Sequence, residues 1–173
     1  HPTESGFNTD VLALYDWAKA RSGNSSIIFW GHSLGTGIAT NAARKLQEER
    51  GVQVDGVVLE SAYTNIIEAA THNPFAKLYY YFPGFEYFIL EPLNLANLFF
   101  RTDENLKMMS CPLLILHAED DGVLPVYVGR KVFEIAHSAY KDKTKVKFIT
   151  FPEKLGLGHD YMSFNPELPA LVK

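Results

Sequence analysis

The sequence has little of several features that would assign a function at once. It contains one cysteine, Cys111, which excludes an internal disulfide, and no apolar run reaches the roughly 20 residues of a membrane-spanning helix. It has no cluster of lysine and arginine, and its formal net charge of −4 argues against a nucleic-acid partner. It has no glycine-rich phosphate loop, and its histidines lack the i,i+4 spacing or cysteine partners of a zinc site. We therefore expect no metal and no cofactor.

The sequence does contain an alternation of short apolar runs and amphipathic segments. The apolar runs predict buried strands at 27–30, 56–59, 112–116 and 146–151, and helical spacing predicts helices over 8–20, 35–50 and 126–140. This order is typical of a parallel α/β sheet with right-handed crossovers. We expect one domain over 1–173, interrupted at about 64–105 by an aromatic-rich helical cap insertion.

The segment around Ser33 has the pattern of a hydrolase nucleophile. It reads Gly-His-Ser-Leu-Gly, and it lies between a predicted strand and a predicted helix, which is the context that gives this motif its meaning. The turn would hold Ser33 in a strained conformation, the glycines at 31 and 35 would permit close chain approach, and the Leu34 N–H would donate to an oxyanion. The alternative is a glycine-rich turn with an idle serine.

An acid is expected in the loop after the third predicted strand, at the carboxyl edge of the sheet. Glu119, Asp120 and Asp121 compete there, and we choose Asp121 because Gly122 allows a tight turn after it. Asp120 is the second choice, and an acidic surface loop without a catalytic role is the alternative. Glu60, at the end of the second strand, is a rival acid, although a structural carboxylate bonded to backbone amides suits that position better.

His159 is the expected base, because it lies in a glycine-flanked loop after the last predicted strand. The chain order serine, acid, histidine is that of α/β-hydrolases. The alternative is a loop histidine without a role. None of the other histidines follows the final strand; they are His1, His32, His72, His117 and His137.

Several stretches together resemble one family, the abhydrolase-domain lysophosphatidylserine lipases, which also hydrolyse monoacylglycerols. They are WAKARSG at 17–23, WGHSLGTG at 30–37, YFPGF at 81–85, DEN at 103–105, SCPLLILHAEDD at 110–121 and PELP at 166–169. A close paralogue group shares much of this pattern. The resemblance implies an α/β-hydrolase fold, a lipid ester substrate, and Ser33, Asp121 and His159 as the catalytic residues.

The resemblance also implies parts that this sequence does not contain. Members of the family carry further strands and a His-Gly turn with a second oxyanion donor before this region, so we expect a fragment that lacks the N-terminal part. They are anchored in the endoplasmic reticulum membrane by an N-terminal segment, with the catalytic domain on the lumenal side. The sequon Asn24-Ser25-Ser26 fits that location.

The aromatic residues concentrated between Phe75 and Phe100 are compatible with an acyl-chain groove, and equally with a cap that packs on its own core. The substrate-binding residues are left unassigned. Two other functions stay open on sequence alone. One is a serine hydrolase with peptide or thioester substrates, and the other is a non-catalytic, truncated binding module.

Overall fold

The computed structural model describes residues 3–72 and 100–172, and all statements of structure below concern these residues. Their helices and strands follow one another as α1 (Glu4–Ser22), β1 (Ile28–His32), α2 (Leu34–Arg50), β2 (Gly56–Glu60), α3 (Ile66–His72), α4 (Thr102–Met108), β3 (Leu113–Ala118), α5 (Val126–Ala139), β4 (Val146–Phe151) and α6 (Leu168–Leu171). Short 3-10 helices lie at Lys143–Lys145, Glu153–Leu155 and Met162–Phe164. None of the described helices is both long enough and apolar enough to cross a bilayer.

The four strands form a parallel sheet in the order β1-β2-β3-β4, which confirms the predicted sheet. Ile28 pairs with Gly56, and Leu113 lies between Val57 and Val146. Every strand therefore ends at the same edge of the sheet, and the segments that follow β1, β2, β3 and β4 meet there.

The two faces of the sheet are covered differently. One face packs against α1, α2, α4 and α5, and its fully buried side chains include Leu46, Leu59, Leu106, Ile115 and Val132. The opposite face packs against the C-terminal segment, through Val58, Leu116, Ala118, Phe151, Leu157, Met162 and Leu168. On β1 the second face is open, since Ile28 and Trp30 stay 41% and 46% exposed.

The ends of the helices follow from capping. Gly51 adopts the left-handed conformation that ends α2 at Arg50, as its position predicts. The predicted start of the first helix, at Asn8, was wrong by four residues. Thr3 caps α1 by accepting a hydrogen bond from the Gly6 amide at 3.0 Å, and Asn8 donates its side-chain amide to the Glu4 carbonyl inside the helix.

Most of the predicted cap insertion, residues 73–99, lies outside the described residues, so that boundary stays a prediction. The structure describes α3 before this segment, and Phe100 and α4 after it. The Phe100 amide donates to a carboxylate oxygen of Glu4 at 3.1 Å, and the other oxygen of Glu4 accepts from Asn41 at 3.0 Å. Phe100 thereby returns the chain to the start of α1 and α2.

Candidate active site

The turn between β1 and α2 holds Ser33 in a strained backbone conformation. Its φ of 50° and ψ of −117° lie in a region that a residue with a Cβ rarely adopts, at a typical cost of about 1–3 kcal/mol. The turn is fixed by the Ser33 amide, which donates to the Glu60 carbonyl at 3.0 Å, and by Thr36, whose hydroxyl donates to the Ser33 carbonyl at 2.7 Å. The predicted strained strand-to-helix elbow is confirmed.

The glycines of this elbow are not equivalent. A Cβ on Gly31 would lie 2.4 Å from the Gly35 carbonyl oxygen, so only glycine fits there. A Cβ on Gly35 would meet nothing within 4 Å, and the expectation that this glycine also permits close approach was wrong. The second close contact is at Gly37, where a Cβ would lie 2.7 Å from the Cβ of Phe100.

Leu34 follows Ser33 and is the first residue of α2. The amides of the first helical turn have no intrahelical acceptor, and the helix dipole places partial positive charge there. The Leu34 N–H therefore stands beside Ser33 with the polarity that an oxyanion requires.

Asp121 lies in the loop after β3, and its buried carboxylate is held on both oxygens. Its Oδ1 accepts from the amides of Val123 and Leu124 at 2.9 and 2.8 Å. Its Oδ2 accepts from Nδ1 of His159 at 2.9 Å and from the Ser61 hydroxyl at 2.7 Å. Four donors thus fix the position of one carboxylate.

This environment also sets the charge of Asp121. Burial by itself would raise the pKa of the carboxyl, but the nearby His117 ring and the hydrogen bonds from His159, the Leu124 amide and Ser61 outweigh it and hold the pKa well below its usual range. Asp121 is therefore an anion at neutral pH, although its side chain is fully buried.

Ser61 was missed in the sequence, and it is the first residue beyond β2. It is fully buried, its φ of 48° is positive, and its amide donates to the Leu116 carbonyl at 3.1 Å. This conformation directs the hydroxyl across the sheet edge onto Asp121. The only local signal in the sequence is a serine directly after a buried strand.

His117 lies on β3 beneath the loop of residues 119–125, which carries Asp121 and is called the acid loop below, and it is completely buried. Its Nε2 donates to the Leu124 carbonyl at 2.8 Å and lies 3.4 Å from Oδ2 of Asp121, while its Nδ1 has no partner in the described residues. Nδ1 faces Gly129 of α5 so closely that a Cβ there would lie 2.2 Å away. His117 therefore supports the acid loop.

His159 occupies the loop after β4, as predicted. Because Nδ1 donates to Asp121, the neutral ring carries its lone pair on Nε2. Burial would lower the pKa of His159, but the hydrogen bond that it donates to Asp121 and the charges of Asp121 and Asp160 raise it above its ordinary value. The ring is mostly buried, with 11% of the side chain exposed.

The loop after β4, residues 152–160 and called the base loop below, contacts the elbow through His32, the neighbour of Ser33. Nε2 of His32 donates to the His159 carbonyl at 2.9 Å, and the two imidazole centroids are 4.9 Å apart. Among residues 3–72 and 100–172, the Ser33 hydroxyl donates no hydrogen bond to the His159 ring. Such nucleophile–base contacts often close only when substrate is bound.

The rival acids lie elsewhere. Asp120 accepts from the Gly158 amide at 3.0 Å, so it holds the base loop, and in the described residues it makes no hydrogen bond with the His159 ring. Glu60 is buried beside Trp30, and burial is the main reason why its pKa is raised. Its main-chain carbonyl accepts the Ser33 amide, whereas its carboxylate, contrary to expectation, accepts no backbone amide within the part of the chain that the structure describes.

Comparison with known proteins agrees with this geometry. A model of the alpha/beta hydrolase fold matches residues 1–88. The chain is 49% identical to lysophosphatidylserine lipase ABHD12 of Rattus norvegicus over 99% of its own length and 43% of the relative. It is 45% identical to protein ABHD12B of Homo sapiens over 99% of its length and 47% of the relative. These relatives confirm the resemblance and its paralogue group, and the chain spans less than half of their length.

Solved structures share the fold at low identity. An alpha-beta hydrolase from Vibrio vulnificus superposes with a TM-score of 0.71 at 22% identity, over 99% of this chain and 57% of that one. An esterase from Pyrococcus furiosus gives 0.64 at 16% identity, over 95% and 58%. The parallel sheet, the elbow at Ser33 and the matching family model lead to one conclusion: the chain belongs to the alpha/beta hydrolase fold family.

Proposed function

We propose that the protein is a serine hydrolase in which Ser33 is the nucleophile, His159 the base and Asp121 the acid. The observation that carries the proposal is the 2.9 Å hydrogen bond between His159 and Asp121, made by loops that follow neighbouring strands β4 and β3. The same sheet edge carries the strained Ser33, and His32 joins the elbow to the base loop. This is the constellation of a catalytic triad, recognised by geometry and role.

The reaction proceeds in two stages. Ser33 Oγ attacks an ester carbonyl while its proton passes to Nε2 of His159, and the ionised Asp121 stabilises the imidazolium. The Leu34 N–H donates to the oxyanion. His159 then gives the proton to the departing alcohol, and an acyl-enzyme on Ser33 remains. Water that is activated by His159 hydrolyses this acyl-enzyme.

The substrate in this proposal is a lipid ester, with lysophosphatidylserine first and other lysophospholipids and monoacylglycerols after it. Its support is the lysophosphatidylserine lipase name of relatives that match 99% of the chain. The aromatic content between Phe75 and Phe100 is compatible with an acyl chain.

The nucleophile is tested by labelling the complete protein with a fluorophosphonate probe. We expect Ser33→Ala to abolish labelling, because the probe phosphonylates only an activated serine. Ser138→Ala, which alters an exposed serine on α5, should label like the wild type. Labelling that persists in Ser33→Ala would assign the nucleophile elsewhere, and a wild type that does not label would favour a binding module.

The substrate class is tested by turnover of a lysophosphatidylserine, a monoacylglycerol, a thioester and a short peptide by the same preparation. We expect the lysolipid and the acylglycerol to be hydrolysed in a Ser33-dependent manner. Ser33-dependent cleavage of the peptide or the thioester alone would overturn the lipid assignment while leaving the serine hydrolase mechanism intact.

The location we propose is the lumenal side of the endoplasmic reticulum membrane. Its support within the chain is the sequon at Asn24, which lies in the exposed turn between α1 and β1 and is open to a glycan. Treatment of the cellular protein with an N-glycosidase should increase its gel mobility, and Asn24→Gln should remove that shift. A wild type whose mobility does not change would contradict lumenal glycosylation at Asn24.

A further inference from the structure

His159 belongs to a second cluster besides its contact with Asp121. His32, His159 and Asp160 each present a potential metal-ligand atom, and these atoms all lie within 4.8 Å of one another. Nε2 of His32 is 4.0 Å from Oδ1 of Asp160. The sequence spacing predicts no metal site here, because His32 and His159 are 127 positions apart and only folding brings them together.

The contact with Asp121 prepares His159 to bind a metal ion. Histidine ligands in metal sites usually donate their other ring N–H to a carboxylate, which fixes the tautomer and raises the basicity of the ligating nitrogen. Asp121 does this at Nδ1 of His159, and Nε2 is left with the lone pair. The arrangement that makes His159 a proton acceptor therefore also makes it a good metal ligand.

The donor set suits zinc. Two imidazole nitrogens and one carboxylate oxygen bind Zn²⁺ at about 2.0–2.2 Å, and tetrahedral ligands then stand roughly 3.4 Å apart. The cluster reaches that spacing by a modest contraction. Asp160 can move toward the two histidines, since its side chain is 69% exposed. Two glycines with positive φ, Gly156 and Gly158, precede it in the base loop. Nε2 of His32 gives up its hydrogen bond to the His159 carbonyl, the ring changes to the tautomer protonated on Nδ1, and the lone pair on Nε2 then binds the ion.

We propose that His32, His159 and Asp160 form an inhibitory binding site for a transition-metal ion such as Zn²⁺. An ion on Nε2 of His159 occupies the lone pair that would otherwise receive the proton of Ser33. Binding of the ion depends only on the cluster, whereas the inhibition rests on the proposed function. The two are therefore measured separately.

Metal binding is measured by calorimetric titration of Zn²⁺ into the complete protein carrying Ser33→Ala, which removes any dependence on catalysis. We expect one ion per chain at this site. Adding Asp160→Asn, or His32→Gln, should weaken binding by about tenfold or more, because even outer-sphere changes cost roughly 10–100-fold in metal affinity. His32→Gln keeps an N–H for the His159 carbonyl but is a poor zinc ligand.

Glu153→Gln is the matched control, because it removes the same charge from an exposed residue at the start of the base loop and should leave the affinity unchanged. No zinc binding, or equal affinity in the Asp160→Asn and control proteins, would overturn the site. A similar loss in the control would show a general charge effect and would also overturn it.

Inhibition is measured as the rate of fluorophosphonate labelling of Ser33 at increasing Zn²⁺, each variant being compared with its own zinc-free rate. We expect zinc to slow labelling, and the concentration for half-inhibition to rise about tenfold or more in Asp160→Asn. Zinc that binds without slowing labelling would refute the inhibitory role. A protein that does not label even without zinc refutes the proposed function instead, and the calorimetric result still decides the metal site.

Discussion

The acid and base loops lie on neighbouring strands, yet they are held very differently. Asp121 is fixed by four donors, and it lies with Leu124 in the buried part of the acid loop, next to the buried His117. The base loop after β4 is connected by the Gly158 amide on Asp120, the His159 carbonyl on His32, the His159 ring on Asp121 and the buried side chain of Leu157. Its two glycines have positive φ, and Leu155 is 46% exposed.

This difference indicates how a triad can be both ordered and adjustable. Removing water from a carboxylate is costly, so a buried anion needs its hydrogen bonds in place before the reaction begins. In the proposed mechanism the base moves a proton between the nucleophile and the leaving group, and a loop with fewer hydrogen bonds permits the small closure that this step needs. The acid side supplies the fixed charge, and the base side supplies the adjustment.

The substitution Asp121→Asn tests this comparison with the largest expected effect. Loss of the charge removes the stabilisation of the imidazolium and the constraint on its tautomer, so we expect kcat for ester hydrolysis by the complete protein to fall about 10³–10⁴-fold. Glu60→Gln is the control, because Glu60 is also buried at a strand end but does not contact His159 in the described residues. If Glu60→Gln caused the larger loss, the acid would be assigned to β2 and not to β3.

Ser61→Ala tests whether the carboxylate depends on its neighbours across the sheet. The substitution removes the 2.7 Å donor to a charged acceptor, and such hydrogen bonds contribute roughly 1.5–3 kcal/mol. We expect the free energy of unfolding, from urea denaturation, to fall by that amount together with a loss of kcat. Ser163→Ala, at an exposed serine, should change neither. An unchanged stability in Ser61→Ala would mean that the acid loop holds the carboxylate alone.

Gly129→Ala tests the support beneath the acid loop. Its Cβ would lie 2.2 Å from Nδ1 of His117, and the fully buried ring would have to shift. Overpacking of this kind costs about 1–3 kcal/mol, and we expect lower thermal stability together with lower activity. Gly122→Ala is the control within the acid loop, because its Cβ would meet nothing within 4 Å. Equal effects of the two substitutions would mean that His117 does not support the acid loop.

The sequence predicts well those features that depend on local pattern. Continuous apolar runs identified all four strands because both faces of most strands are covered. The spacing around Ser33 predicted the elbow because the strain and the close approach arise within a few residues. The choice of Asp121 over Asp120 followed from the tight turn that Gly122 permits, and the hydrogen bond to His159 agrees with that choice.

The features that escaped prediction depend on distant parts of the chain. Ser61 and Asp121 are 60 positions apart and meet only because β2 and β3 are neighbours in the sheet. The contact of His32 with the base loop depends on β4 reaching the same edge. Such pairs leave no local pattern in the sequence. Each residue could have several partners, and the order of the strands in the sheet decides which one it meets.

The smallest effect is expected for Asp120→Ala, which removes a hydrogen bond that holds the base loop. It removes the acceptor of the Gly158 amide, but this hydrogen bond is only partly buried and water can replace the carboxylate, so the free energy of unfolding should fall by only about 1 kcal/mol or less. The change should instead be local: hydrogen exchange at the Gly158 amide should quicken, while exchange at the Leu124 amide in the acid loop stays slow. If Leu124 exchanged faster as well, the two loops would open as one unit. A loss of kcat as large as that of Asp121→Asn would reverse the roles of the two adjacent carboxylates.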